Sequence, residues 1–201
     1  MLAGVSHDLR TPLTRMKLQL AMAPDKDAAA ALTADVSDME RMVEGYLAFA
    51  RGEGSEVPVE TDVGDLLVEI VDGARRNGAA IELDGVPEDQ IMMLRRDAIK
   101  RALTNLADNA TRHGEHTRIA FVRGAEAVEI QIDDDGPGIP EASRDSVFKP
   151  FFRLDDSRNP GTGGVGLGLT IARDVVRNHG GDLVLSESPM GGLRASVRLP
   201  V

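Results

Sequence analysis

Apolar residues at the start of the chain, Leu2, Val5, Leu9, Leu13, Met16 and Leu20, recur at alternating steps of three and four. That spacing is the seam of a packed helix. The turn-forming run Ala23-Pro24-Asp25-Lys26-Asp27 breaks the pattern. It resumes at Leu32, Val36, Met39, Val43, Tyr46 (or Leu47) and Ala50, so residues 1–52 read as a helical hairpin. Two helices of this length cannot bury such a seam alone. Pairing with a second copy completes a four-helix bundle, so a homodimer is expected; the alternative is that both helices lie on the downstream domain.

Residues 53–59, within Gly52-Glu53-Gly54-Ser55-Glu56-Val57-Pro58-Val59, have linker composition. Residues 60–201 then follow an α+β pattern. Asp62 is placed to cap a helix to about Arg76, with Leu66, Leu67, Ile70 and Val71 inward. Ile81–Leu83 and Ile91–Leu94 read as short strands, and a helix spans about Arg96 to Arg112. Arg118–Val122 and the alternating Val128–Ile132 are strands, as are Asp182–Ser186 and Leu193–Leu199, with a helix over about Gly166–Asn178. Residues 134–163, rich in Gly, Pro, Asp and Ser, are too long for an idle connection and read as a functional loop or lid.

Composition narrows the function classes. Of 201 residues, 42% are apolar but only 3% aromatic, so the core is aliphatic. A net charge of -10 argues against a nucleic-acid partner, which needs a basic face. The chain lacks Cys, which excludes disulfides and thiolate metal sites and fits a reducing compartment. No run approaches the ~18 apolar residues of a membrane helix, and no signal peptide opens the chain. A soluble piece is expected, and His7 lies so close to Met1 that a longer parent protein is expected too.

Three blocks carry chemistry. The first is Ser6-His7-Asp8-Leu9-Arg10-Thr11-Pro12. His7 stands two residues from Val5 and Leu9, about 200° around the helix, and so points away from the seam. A lone surface histidine is the bland reading, but the neighbours argue against it. Asp8 can accept a proton from one ring nitrogen and leave the other nucleophilic. Arg10 can pair with a phosphoryl oxygen. Pro12 removes the hydrogen bond to the Asp8 carbonyl, at a cost of roughly 3 kcal/mol in a helix interior, and places a kink near His7.

The second block is Asn105-Leu106-Ala107-Asp108-Asn109, with Arg112 on the same helical face. Its amide oxygens suit Mg²⁺, and Arg112 with Lys149 or Arg153 offers cations to an anionic ligand. The third is Asp134-Asp135-Gly136-Pro137-Gly138 followed by Gly161-Thr162-Gly163-Gly164-Val165-Gly166-Leu167-Gly168. A carboxylate at a strand end can accept from an exocyclic amine and so select adenine. Glycines let the backbone approach the ring, and a glycine-rich helix start offers N–H groups to phosphates. The match of Gly161, Gly163 and Gly166 to G-x-G-x-x-G is a decoy, because no strand precedes it and a Rossmann unit requires one. Phe148-Lys149-Pro150-Phe151-Phe152 gathers aromatics that can anchor a lid.

The first block resembles the phosphoacceptor box of two-component sensor histidine kinases, closest to the EnvZ-type osmosensors. The later blocks resemble the N box, first glycine box, F box and second glycine box of that family's ATP-binding domain. That domain is the GHKL-type helix-on-sheet sandwich shared with gyrase, mismatch-repair and chaperone ATPases. The resemblance spans nearly the whole chain. It implies that His7 accepts the γ-phosphoryl group, Asp8 is its general base, and Thr11 orients water when a response regulator is dephosphorylated. It implies Asn109 as the Mg²⁺ ligand, Asn105, Arg112 and His113 on the phosphate and sugar side, and Asp134 reading adenine. Gly136, Gly138, Ile139, Lys149, Arg153 and Thr162, Gly163, Gly164, Val165, Gly166, Leu167 and Gly168 complete the implied ATP site. His113 departs from the Tyr frequent in the family. The ATPases of the superfamily place a Glu base where this chain has Asn105, which favours phosphoryl transfer over hydrolysis. A GHKL ATPase and a phosphatase-only scaffold that binds the regulator are the competing classes. The implied setting is the cytoplasmic side of an inner-membrane sensor, with membrane contact only through a parent segment absent here.

Overall fold

The computed structural model describes residues 2–23, 29, 32–33, 36–37, 39, 56–86, 89–152, 154 and 166–201, with side chains from residue 12 onward. Helix α1 (Leu2–Ala21) runs through Pro12. Leu13 of the predicted seam is buried, whereas Met16 stays 44% exposed. Residues 29, 32–33, 36–37 and 39 are helical, and Thr33 and Ser37 hydroxyls donate to the carbonyls four residues back. The remainder of the second predicted helix, toward Ala50, and the linker up to Ser55 lie outside the described residues.

The second unit is built from β1 (Val59–Asp62), α2 (Val63–Arg76), β2 (Ile81–Asp84), β3 (Ile91–Leu94), α3 (Arg96–His113), β4 (Thr117–Arg123), β5 (Ala127–Asp134), α4 (Gly168–Asn178), β6 (Asp182–Glu187) and β7 (Leu193–Pro200). Two short 3-10 turns, Glu141–Ser143 and Ser146–Phe148, interrupt the long loop after β5. The main sheet has the order β2-β4-β5-β7-β6; β2 lies parallel to β4 and the other pairs are antiparallel. β1 and β3 form a separate antiparallel ribbon. β1 opens at Val59, the last residue of the predicted linker. Helices α2, α3 and α4 cover one face of the sheet with an aliphatic core that includes Leu66, Leu67, Ile99, Leu103, Leu106, Ile119, Ile130, Ile132 and Val197.

The period-two alternation of β5 decides what faces that core. Val128, Ile130 and Ile132 point inward and are at most 1% exposed, and Asp134 shares their face. Glu129, Gln131 and Asp133 point to the other face. α3 forms because Ala98, Ile99, Ala102, Leu103, Leu106, Ala107 and Ala110 make one continuous apolar stripe. Asn105 and Asn109 flank this stripe, and Asn109 lines a pocket beside Leu106 and Ala110. Asp62 caps α2 as expected, its carboxylate accepting from Gly64 and Asp65 N–H.

The cap of α3 comes from far away. Arg95 at its start makes no side-chain cap. Glu56, 41 residues before Asp97, accepts the N–H of Asp97 at 2.7 Å and of Ala98 at 3.1 Å. His179, just past α4, accepts the Arg95 N–H at 3.1 Å through Nε2, while its Nδ1 lies 2.7 Å from the Val175 carbonyl. The helix that carries both asparagines is therefore pinned at its start from two directions.

Candidate functional site

Asn109 and Asp134 line a common pocket. Its walls are Leu106, Asn109 and Ala110 of α3, Ile132 and Asp134 of β5, Leu169 of α4, and Leu193 and Ala195 of β7. Asn109 and Asp134 are the two polar side chains among otherwise apolar walls. Asn105 stands one turn before Asn109, beside the first residue of α4: a side chain on Gly168 would lie 3.8 Å from the Asn105 Cβ. The start of α4, whose first N–H groups have no partner within the helix, therefore adjoins Asn105.

Asp134 is 3% exposed and rigidly oriented. Its Oδ1 accepts the Gly136 N–H at 2.9 Å and the Leu193 N–H at 3.0 Å, and its carbonyl accepts the Gly192 N–H. Oδ2 carries no hydrogen bond among the described residues, which leaves it as the acceptor for a ligand. Two glycines make this possible. A Cβ on Gly136 would lie 2.5 Å from the His113 carbonyl, and one on Gly192 would lie 2.2 Å from Asp134 Oδ1. Gly138 adopts φ +68°, a left-handed conformation that favours glycine.

The three successive aspartates meet three different fates. Asp133, fully buried on the far face, accepts from Arg194 at 2.7 and 2.8 Å and from Arg118 at 3.1 Å. Burial acts to raise its carboxyl, but the hydrogen bonds from Arg194 and then Arg118 prevail and hold it below the usual range. Asp135 accepts the N–H groups of Glu115 and His116 and the His116 ring. Those bonds, His116 first, lower it and raise His116. On α3, desolvation raises the Asp108 carboxyl against the pull of Arg112.

The aromatic block is anchored to α4. Thr170 donates to the Phe148 carbonyl at 2.9 Å, and the Arg173 guanidinium stacks 4.3 Å over the Phe148 ring. Phe151, at φ +64°, donates its N–H to the Gly166 carbonyl. A Cβ on Gly166, itself at φ +73°, would meet the Phe151 and Phe152 backbone at 3.0 Å. This fastening joins the two ends of the segment between Phe152 and Gly166.

Among the expected site residues, Asn105, Asn109, Asp134, Gly136 and Gly168 converge at or beside the pocket. Arg112 and His113 are exposed at the end of α3, Lys149 is exposed beside the aromatic block, and Ile139 packs on the core. Leu167 is buried where α4 begins. Arg153, Thr162, Gly163, Gly164 and Val165 lie outside the described residues. His7, Asp8 and Thr11 lie within α1, their side chains outside the described set. Sequence reasoning missed Gly192, Leu193, Gly114 and Asp135. The Gly191-Gly192 pair before a strand was the available signal for the first two.

Mg²⁺ fits the donor set present. Among the described residues no group of three or more His, Cys, Asp or Glu could hold a metal. A divalent ion bound here would draw a neutral oxygen from Asn109, and phosphate oxygens and water would supply the hard, hydrated environment that Mg²⁺ prefers.

A helix-covered, mixed sheet with an Asn-and-Asp pocket at one edge defines an ATPase-type nucleotide-binding domain, joined in this chain to a helix bearing a histidine. Residues 94–201 match the histidine kinase-, DNA gyrase B- and HSP90-like ATPase family, and residues 1–55 match the His Kinase A (phospho-acceptor) domain. The chain belongs to the sensor histidine kinase family. It is 37% identical over 206 residues to the sensor histidine kinase GtrS of Pseudomonas aeruginosa, covering 98% of this chain and 41% of that protein. It is 30% identical over 213 residues to the sensor histidine kinase CpxA of Escherichia coli K12, covering 100% of this chain and 46% of CpxA. The chain thus spans less than half the length of these relatives. The ATP-binding domain of PrrB from Mycobacterium tuberculosis superposes with a TM-score of 0.58 at 32% identity, covering 71% of this chain and 96% of that one. Full-length ShkA, crystallised with AMPPNP, shares the fold with a TM-score of 0.73 at 22% identity over 99% of this chain and 45% of ShkA. No described helix is long and apolar enough to cross a membrane.

Proposed function

We propose that this chain is the cytoplasmic core of a sensor histidine kinase that phosphorylates itself on His7 and passes the phosphoryl group to an aspartate of a response regulator. The observation that carries the reading is the pairing of Asn109 with the oriented Asp134 in one pocket, in a chain whose first helix includes His7. The adenine amine donates to Asp134 Oδ2, and the phosphates run along the Asn105–Arg112 face toward the start of α4. Asn109 would hold Mg²⁺, which would supply neutralisation of phosphate charge. Asp8 accepts the proton from one His7 ring nitrogen. The other nitrogen forms a bond to the γ-phosphorus as the bond to the β-bridging oxygen breaks and ADP leaves. Positioning and charge neutralisation supply most of the acceleration in such transfers.

The proposed organisation is a dimerising hairpin over residues 1–52, a linker over 53–59 and the catalytic domain over 60–201. Thr11, one turn beyond His7, orients water for dephosphorylation of the regulator. Membrane attachment belongs to a segment of the parent protein. Incubation with γ-labelled ATP and Mg²⁺ tests the reading. Acid-labile, alkali-stable label that His7→Gln abolishes supports it. Steady phosphate release without label supports an ATPase instead, and neither supports a regulator-binding scaffold. Asn105, which cannot act as a base, favours the first outcome.

A further inference from the structure

The turn after α3 is fastened to the end of β5 by one side chain. Asp135 Oδ1 accepts the backbone N–H of Glu115 at 2.7 Å and of His116 at 2.9 Å, while Oδ2 lies 2.9 Å from the His116 Nδ1. The fit around it is close. A Cβ on Gly114 would lie 2.7 Å from Asp135 Oδ1 and 3.0 Å from the Asp134 Cβ, and the His113 carbonyl presses beneath Gly136. The clasp therefore joins the two walls of the pocket: α3, which ends in Arg112 and His113, and the Asp134–Gly136 corner. No other described side-chain hydrogen bond links the turn to that corner.

We propose that Asp135 is a positioning residue of the nucleotide site, setting the separation of α3 from Asp134, and that His116 makes this clasp pH-sensitive. The proposal rests on the nucleotide-binding reading above. The backbone bonds to Asp135 persist at any pH at which it is ionised. The ring contact strengthens when His116 carries a proton. The charged groups near His116 are Asp135 of the β5 end, Glu115 of its own turn and Glu82 of β2, all acidic and all favouring the imidazolium. His116 is raised in the folded chain, so the added hold is complete at low pH and disappears as pH rises through that raised value. The ring is 67% exposed, which limits the gain to that of a screened surface pair.

The test measures affinity for a non-hydrolysable ATP analogue with Mg²⁺ at pH 6.0, 7.0 and 8.5 on the full chain. Wild-type affinity should fall by about two- to fivefold across this range beyond whatever fall His116→Ala shows. Asp135→Ala should weaken binding by about tenfold at pH 8.5 and by a further two- to fivefold at pH 6.0, and Asp135→Asn should restore most of the affinity at pH 8.5, since its amide oxygen still accepts both N–H groups, without restoring the rise at pH 6.0. Titration of the His116 ring by NMR should show the raised value in the wild type and its loss in Asp135→Asn. Equal affinity in wild type and Asp135→Ala, or an unchanged pH dependence in His116→Ala, overturns the proposal while leaving the nucleotide site standing. Failure of the unaltered protein to bind the analogue overturns the nucleotide reading and this role together.

Discussion

Gly192→Ala isolates what holds Asp134. Gly192 is buried and its φ lies outside the left-handed range, so alanine suffers no backbone strain there. Its Cβ would instead lie 2.2 Å from Asp134 Oδ1, 2.5 Å from the Gly136 nitrogen and 2.6 Å from the Asp134 carbonyl oxygen. Moving the first contact out to 3.4 Å, where ordinary contact begins, requires about 1.2 Å, the difference of the two. A shift of that size carries the 2.9 and 3.0 Å hydrogen bonds to Oδ1 beyond bonding distance. Overpacking costs about 1–3 kcal/mol and loss of one bond to a buried carboxylate about 1.5–3 kcal/mol. The combined loss is about 2.5–6 kcal/mol, which lowers the melting temperature of a chain of this size by about 5–24 °C. ATP affinity should fall by tenfold or more on calorimetric titration, because about 1.4 kcal/mol of misplaced acceptor suffices for each factor of ten. Gly191→Ala is the control with the opposite defect. Gly191 has φ +100° and open space around its Cβ. It should cost about 1–2 kcal/mol through backbone strain while affinity is unchanged. If Gly192→Ala binds the nucleotide within about twofold of wild type and melts within about a degree of it, the geometric account of Asp134 is wrong.

Three further outcomes are expected. Glu56→Ala removes the distant cap of α3 and should lower stability by about 1 kcal/mol in chemical denaturation; loss of protection at the Asp97 and Ala98 amides in hydrogen exchange locates the effect. Arg194→Met breaks the buried pair with Asp133 and should cost about 3 kcal/mol at pH 7. Asp133 is lowered by its partners, so their contribution is present above the ordinary carboxylate range and lost as pH falls through the folded value; the difference between wild type and variant should narrow below about pH 4. Thr11→Ala should leave self-phosphorylation intact and slow dephosphorylation of the regulator, measured by decay of the phosphorylated regulator with the variant added.

The fold was legible wherever burial imposes a period. The α3 stripe from Ala98 to Ala110 and the β5 alternation from Val128 to Ile132 are consequences of facing one core, and a linear sequence displays both. The motif residues Asn109 and Asp134 were legible for the same reason, since each interrupts a regular apolar pattern with a polar group. β1 was not legible. Val59–Asp62 has only Thr61 fully buried and pairs with β3 across some 30 residues, so no local signal marks it. The separate roles of Asp133, Asp134 and Asp135 were also hidden. They depend on Arg118 and Arg194 from two neighbouring strands, on Leu193 from β7, and on the turn at His116.

The site places its two recognition groups on elements that meet only through tertiary structure. Asn109 belongs to α3 and Asp134 to β5, and a base between them is held only if those elements keep their spacing. The chain constrains α3 at both ends: Glu56 and His179 fasten its start, and Asp135 fastens the turn beyond its finish. β5 is fixed between β4 and β7 by continuous ladders. On the loop side, the Phe151 N–H donates to the Gly166 carbonyl. Fixed walls are what phosphoryl transfer demands, because an error of about 1 Å in placing the reacting phosphorus can cost about a hundredfold in rate. The fasteners at Glu56, His179 and Asp135 lie outside the pocket lining, and their removal should loosen the fit of the nucleotide as well as lower the stability of the fold.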